Sequence, residues 1–294
     1  MNDRKKHVLQ TAKQLFTEKG FQSTSIQDIL DEASISKGTF YNYFSSKNEC
    51  LMAILRDAYY LSFLRRNEFA IGKDLTDPQL LSDQIQIRLT MNREQNLLPL
   101  FEIIAHSPDD ELRQFVKQMH FRELAWIAKR LVNIYGEEVK PYSYDCASLF
   151  FGCMQHSLHI WKGLTTERLD TKQLVDYVMQ RMEVIVPDVV KKDAHFLPQD
   201  LVEKILTHAE FHPMTQEVLV GELRDFIGQL SGDENAGKLY AQFLYEEMTS
   251  EAPRMYLLKS VVRSFRQAYE GTDLQHRAIE LSAALWLFID KTER

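Results

Sequence analysis

Only three cysteines occur in 294 residues, Cys50, Cys146 and Cys153. The count is odd and the spacing matches no disulfide framework, so free thiols in a reducing cytoplasm are expected. No apolar run approaches the roughly 20 residues needed to span a bilayer, and no membrane partner is expected. The start, Met1-Asn2-Asp3-Arg4-Lys5-Lys6, leads into an amphipathic helix and lacks an apolar secretory core. Glycine is scarce, with 11 residues in the chain. No phosphate-cradling glycine loop, dinucleotide fingerprint or nucleophile elbow is present, so neither a cofactor nor an enzymatic activity is expected. No stretch alternates for long enough to form a sheet, which leaves an all-α protein.

Charge is divided unevenly. Residues 1–48 carry seven Lys/Arg against five acids, or +2, while the whole chain is −7, so the remainder carries −9. An acidic body behind a mildly basic head is the asymmetry expected if only the head meets phosphate.

Within that head, Asp3 to Lys19 has Val8, Leu9, Ala12, Leu15 and Phe16 at the spacings of one apolar helix face, and Gly20 supplies a C-terminal stop. Thr24 is placed to cap a second helix, with Gln27 in capping-box position and Ile26, Ile29, Leu30 and Ala33 inward. A turn over Ser34 to Ser36 leads into a third, short helix. There Phe40 and Phe44 share a buried stripe, while Ser36, Lys37, Thr39, Asn42 and Tyr43 point elsewhere. An outward side rich in hydrogen-bonding tips suits the major groove, and helix, capped helix, turn, helix is a helix-turn-helix arrangement.

Phe16, Gly20-Phe21, Thr24, Asp28-Ile29, Ala33 and the run Ser36-Lys37-Gly38-Thr39-Phe40-Tyr41-x-Tyr43-Phe44-x-x-Lys47-x-x-x-Leu51 resemble the DNA-binding domain of the TetR family of transcriptional regulators. Two positions depart from its pattern. Ser34 stands where the family usually has Gly, which strains a left-handed turn, and Leu30 stands where a small Ala is frequent. The resemblance implies base-edge contacts by Gln27, Lys37, Thr39 and Tyr41, with Ser36, Gly38 and Asn42 as secondary candidates. It implies phosphate contacts by Thr24, Tyr43 and Lys47, with Tyr41 able to do either.

Beyond Lys47 the pattern remains helical. The resemblance divides the chain into a helix-turn-helix domain (1–48), a helical ligand-binding and dimerisation body (49–194) and a helical C-terminal extension (195–294). It implies a homodimer on a palindromic double-stranded DNA operator, held through two long helices over Tyr144–Lys162 and Thr171–Val186. The candidate dimer residues are Leu149, Gly152, Leu158, Trp161, Leu174 and Val178. It also implies a small-molecule effector, for which the body offers Phe101, His106, Phe115, Met119, Arg122, Trp126, Tyr144 and Phe151. The expected function is that of a cytoplasmic, ligand-responsive repressor.

Two readings from other classes stand beside it. One is an architectural or division-associated DNA-binding protein without an inducer. The other is an enzyme or metal sensor, since Cys153, His156 and His159 share a helix and His195, His208 and His212 follow the junction; no recognised ligand spacing supports a metal. The extension matches no family. It is acidic, with sixteen Asp/Glu against ten Lys/Arg over residues 199–294, so direct duplex contact by it is not expected. Leu285, Trp286, Phe288 and Ile289 predict that its last helix is buried, packed as part of the regulatory body and needed for stability.

Overall fold

A computed structural model describes residues 3–97, 100, 104, 109–165, 169–209, 215–230 and 236–292. Among these the chain forms thirteen α-helices and one 3₁₀ helix, with no strand. The helices are α1 (Asp3–Glu18), α2 (Ile26–Glu32), α3 (Lys37–Tyr43), α4 (Lys47–Ala70), α5 (Pro78–Glu94), α6 (Asp110–Tyr135), α7 (Ser143–Leu164), α8 (Thr171–Lys191), α9 (Gln199–Ala209), α10 (Gln216–Gly228), α11 (Ala236–Thr249), α12 (Met255–Ala268) and α13 (Gln275–Thr292). Most of their ends carry local signals. Ser36, Ser46, Asp109, Asp170 and Thr215 each accept a backbone N–H at a helix start, and Gly20 and Gly136 follow helix ends with φ of 87° and 95°. The 3₁₀ helix over Glu137–Tyr142 was not foreseen; Pro141 inside it removes a donor and favours the tighter turn.

The helices group into two compact units. The first draws on residues 1–71, 95–103 and 212–294, the second on residues 72–94 and 104–211.

In the first unit, α1 to α3 close on a small core of Val8, Ala12, Phe16, Ile29, Phe40 and Phe44, and α4 leads away from it. Helices α10 to α13 form a larger core around Leu223, Phe226, Leu244, Val262, Phe265 and Leu285, against which Leu64 of α4 is buried. Phe226, Phe265 and Tyr269 meet in a three-way edge-on cluster with centroids 5.0–5.4 Å apart. Gly237 lies under the Tyr269 ring, where an added Cβ would come within 2.8 Å of ring carbon, so this close approach requires glycine.

The second half of α4 is covered on more than one side. Ser62, Leu64, Arg66 and Glu68 are all buried although alternate helical residues point roughly 200° apart. Glu68 meets Arg266 of α12 in a two-pronged ion pair, Nε to Oε1 at 2.7 Å and Nη2 to Oε2 at 2.8 Å.

The second unit packs α5 to α9 around Leu81, Ile127, Leu131, Phe150, Val178 and Met182. Several buried polar groups are paired across it. Arg88 meets Glu123 at 3.1 Å, and Arg130 donates to Gln84 Oε1 at 3.1 Å and to the Leu75 carbonyl at 2.8 Å. Burial holds the Arg130 guanidinium down to about 10.

The division proposed from sequence treated residues 195–294 as one block packed on the body. The compact units group these residues differently: α9 lies in the second unit, where Asp145 accepts the Leu197 N–H at 3.0 Å, and α10 to α13 lie with α4 and the head. The last helix is buried as expected, and it packs on α4.

Candidate nucleic-acid interface

Between α2 and α3 the chain reverses through Ser34, whose φ is 51°, with the Ile35 N–H donating to the Leu30 carbonyl at 3.0 Å. This is a helix end that normally takes glycine at the left-handed position, and the serine there is the strained departure read from the sequence. Ser36 then caps α3, its Oγ accepting the Thr39 N–H at 3.1 Å and lying 2.9 Å from Thr39 Oγ1.

Phe40 and Phe44 anchor α3 inward, with Lys5 of α1 over the Phe44 ring at 5.3 Å. The opposite side is open. Lys37, Gly38, Tyr41 and Asn42 are exposed, Thr39 and Tyr43 half-buried, and the Lys37 ammonium lies 6.0 Å from the Tyr41 ring centre. An added Cβ at Gly38 would meet only Ser36 Oγ, at 3.8 Å. Nothing within the chain therefore demands glycine at that position, whereas a partner approaching α3 closely would.

Two side chains expected at phosphate are engaged within the chain. Thr24 is fully buried, and its hydroxyl donates to the Gly20 carbonyl at 2.8 Å and lies 3.2 Å from that of Leu15. The helix cap is Ser25, one residue later, in a capping box with Asp28 that the sequence reading assigned to Thr24 and Gln27. A threonine methyl is better buried than a serine, so Thr24 turns inward and the serine takes the cap. Gln27 is exposed, and its amide nitrogen donates to Asp31 Oδ1 at 2.7 Å. Lys47 donates to the carbonyls of Phe21 and Thr24 at 2.8 and 2.7 Å and stands over the Phe21 ring, so it first clamps the turn before α2. The Ser-x-x-Asp pattern at Ser25 was the signal that could have found this cap.

Hydrogen bonds from the Ser25 hydroxyl and N–H, aided by Lys19, hold the Asp28 carboxyl down from the ordinary 3.8 to about 2. A depressed carboxylate stabilises the fold above its unfolded value and loses that contribution as pH falls through the folded one. Acid titration of the head is therefore expected to lose part of its stability between about pH 4 and pH 2, and Asp28→Asn to remove that step; a superimposable acid unfolding curve in the variant would refute it.

Other expected site residues are distributed through the second unit. Phe115 and Met119 are buried, Arg122 lies beside Met119 sulfur at 4.0 Å, and Trp126, Tyr144 and Phe151 pack on the core. Phe101 and His106 lie outside the described residues. On α7, Leu149, Gly152 and Trp161 are exposed and Leu158 is half-buried. Leu174 and Val178, expected at the dimer interface, are buried in the unit's own core, and α8 turns Tyr177 and Val184 outward. Helical periodicity separates the two faces of α8 but does not say which one meets a second copy.

Among the described residues, no group of three or more His, Cys, Asp or Glu could hold a metal, and no helix is long and apolar enough to cross a membrane. His156 and His159 stack with ring centres 6.4 Å apart.

Residues 8–54 match the tetR family of bacterial regulatory proteins. The chain is similar to an uncharacterized HTH-type transcriptional regulator of Bacillus subtilis, YuxN, at 28% identity over 91% of this chain and 94% of that protein. A second from the same organism, YerO, is 23% identical over 96% of each. Over a shorter stretch, 26% of this chain and 36% of the relative, it is 35% identical to the HTH-type transcriptional repressor KstR2 of Mycobacterium tuberculosis. No solved structure matches it. The helix-turn-helix head thus lies at the residues that match the tetR family, and over nearly its whole length the chain is similar to HTH-type transcriptional regulators.

Proposed function

We propose that the protein is a ligand-responsive repressor that binds a palindromic operator as a homodimer. The observation that carries the reading is α3, which buries Phe40 and Phe44 and leaves Lys37, Gly38, Tyr41 and Asn42 on one open side. Lys37 reads a guanine edge, Tyr41 and Thr39 lie beside it, and Ser36 and Tyr43 support the approach. Two such heads about 34–36 Å apart meet successive major grooves on one face of the duplex. An effector acts by favouring one head spacing over another, and Phe115, Met119, Arg122 and Trp126 are the body residues proposed to receive it.

Selection of bound duplexes from a random pool, followed by sequencing, tests the reading; recovery of no common, two-fold symmetric motif would end it. On the selected duplex, Lys37→Ala is expected to weaken binding by about 1–3 kcal/mol and to relax one base position per half-site. Gly38→Ala is expected to weaken the duplex complex while leaving the free protein as stable or slightly more so, by up to about 0.5–1 kcal/mol, because its Cβ has room inside the chain. Unchanged duplex affinity in both variants would move the recognition surface off α3.

For the dimer, the support is the exposed apolar face of α7 and α8, with Leu149, Ile160, Trp161, Leu164, Tyr177 and Val184 in the open. Gly152 lies on α7 with open space around a would-be Cβ, so Gly152→Glu leaves the monomer fold intact. It is expected to sediment as a monomer and to bind duplex much more weakly, since the second head no longer acts at high effective concentration. An intact dimer in the centrifuge would place the interface elsewhere.

A further inference from the structure

A cleft of about 170 Å³ lies within the first unit, between α1, α4 and α13. Each helix lends it residues one turn apart: Leu9 and Lys13 from α1, Ile54, Ala58 and Leu61 from α4, Gln275 and Ile279 from α13. The wall is mainly aliphatic. Its polar groups are Lys13, Asp57 and three glutamine amides, of Gln10, Gln95 and Gln275.

The charges at the cleft are not equivalent. Asp57 has an interaction partner of its own. The Lys13 ammonium has none among the described residues, and half-burial pushes it below the ordinary lysine range with no acid to offset that. A partly desolvated cation beside an aliphatic wall calls for an anion that carries apolar surface. A single negative charge is what one lysine can balance next to Asp57; a phosphate dianion would bring more. The volume is slightly above the ~150 Å³ that accepts a benzene ring and below the ~300 Å³ where drug-sized pockets begin. The tail is therefore short, about six carbons.

We infer that this cleft binds a short-chain aliphatic monocarboxylate, its carboxylate on Lys13 and its tail against Leu9, Ile54, Leu61 and Ile279, and that occupancy changes DNA affinity. The site is distinct from the body pocket proposed above. Its ligand touches α1, the first helix of the head, together with α4 and α13, so filling it biases the angle between α1 and α4. The binding claim needs no DNA. Only the coupling rests on the DNA-binding reading, and the coupling is reciprocal: duplex must change carboxylate affinity by the same factor.

Calorimetric titration of the full chain with hexanoate, hexanol and hexylammonium tests the site without DNA. Hexanoate is expected to bind saturably, about 10- to 100-fold more tightly than the other two, the size of one charge-assisted hydrogen bond. Lys13→Gln should lose that margin and Lys13→Arg should keep most of it. Gln10→Trp, at an exposed position on the rim, should block entry without altering the melting temperature. Equal binding of hexanol, undiminished hexanoate binding in Lys13→Gln, or no saturable binding at all overturns the site. Unchanged affinity for a selected duplex at saturating hexanoate overturns the coupling, whereas failure to select any duplex would strike the DNA-binding reading and leave the titration result standing.

Discussion

Glu68→Ala is expected to destabilise the protein by about 3–5 kcal/mol, because it leaves Arg266 charged, buried and without its carboxylate. The two side chains are only 5% and 3% exposed, and both oxygens of Glu68 are engaged by the guanidinium at 2.7 and 2.8 Å. In water the same pair would contribute ~0–1 kcal/mol; in this setting the deletion strands an ion where no solvent can reach it. Glu68→Gln should be milder, since the amide oxygen still accepts one hydrogen bond. The double replacement Glu68→Met with Arg266→Leu should recover most of the loss, as apolar groups of similar volume often substitute for a buried pair at little net cost. Urea unfolding of the three variants measures this. A loss for Glu68→Ala within the few tenths of a kcal/mol typical of surface sites would mean that the pair does not hold α12 to α4.

Removal of α10 to α13 is expected to do more. Truncation after residue 211 uncovers Leu64 together with Tyr60, Leu61 and Phe63, which pack against the C-terminal core, and leaves Glu68 without Arg266. Each fully buried large apolar side chain is worth about 1.5–3 kcal/mol, so the sum approaches the ~5–15 kcal/mol by which a whole domain is stable. The truncated chain should aggregate or show rapid amide exchange throughout α4, while the core of α5 to α9, which keeps all its residues, remains protected. A cut after Asp193 would be less informative, because it also deletes Ile205 from the second core. A soluble truncated protein with the parent's melting temperature and duplex affinity would show that the C-terminal helices are dispensable.

Much of the head was legible because its signals are local. Gly20 ends α1 and Phe40 and Phe44 turn inward on α3, as spacing required. Ser34 adopts the left-handed turn that the missing glycine implied. Two positions depended on packing beyond the local pattern. Thr24 and Ser25 are adjacent hydroxyl residues, and only the packing of the turn decides which is buried and which caps. Lys47 was read by its charge, but its ammonium sits over the Phe21 ring and on two carbonyls, partners some twenty residues away that no short window contains.

The sequence by itself determined the class of secondary structure, the helix order of the head, the composition of the recognition helix and the sign of charge on each part. Those follow from interactions between residues up to about four apart, which periodicity and caps record directly. Only the tertiary structure decided that Leu174 and Val178 face inward while Tyr177 and Val184 face out, that α9 parts company with α10 to α13, and that Arg266 finds Glu68 across nearly two hundred residues. An apolar stripe states that a face must be covered and is indifferent to what covers it. Pairing of faces is set by the long-range fit of side chains, for which the one-dimensional pattern of a helix carries no address.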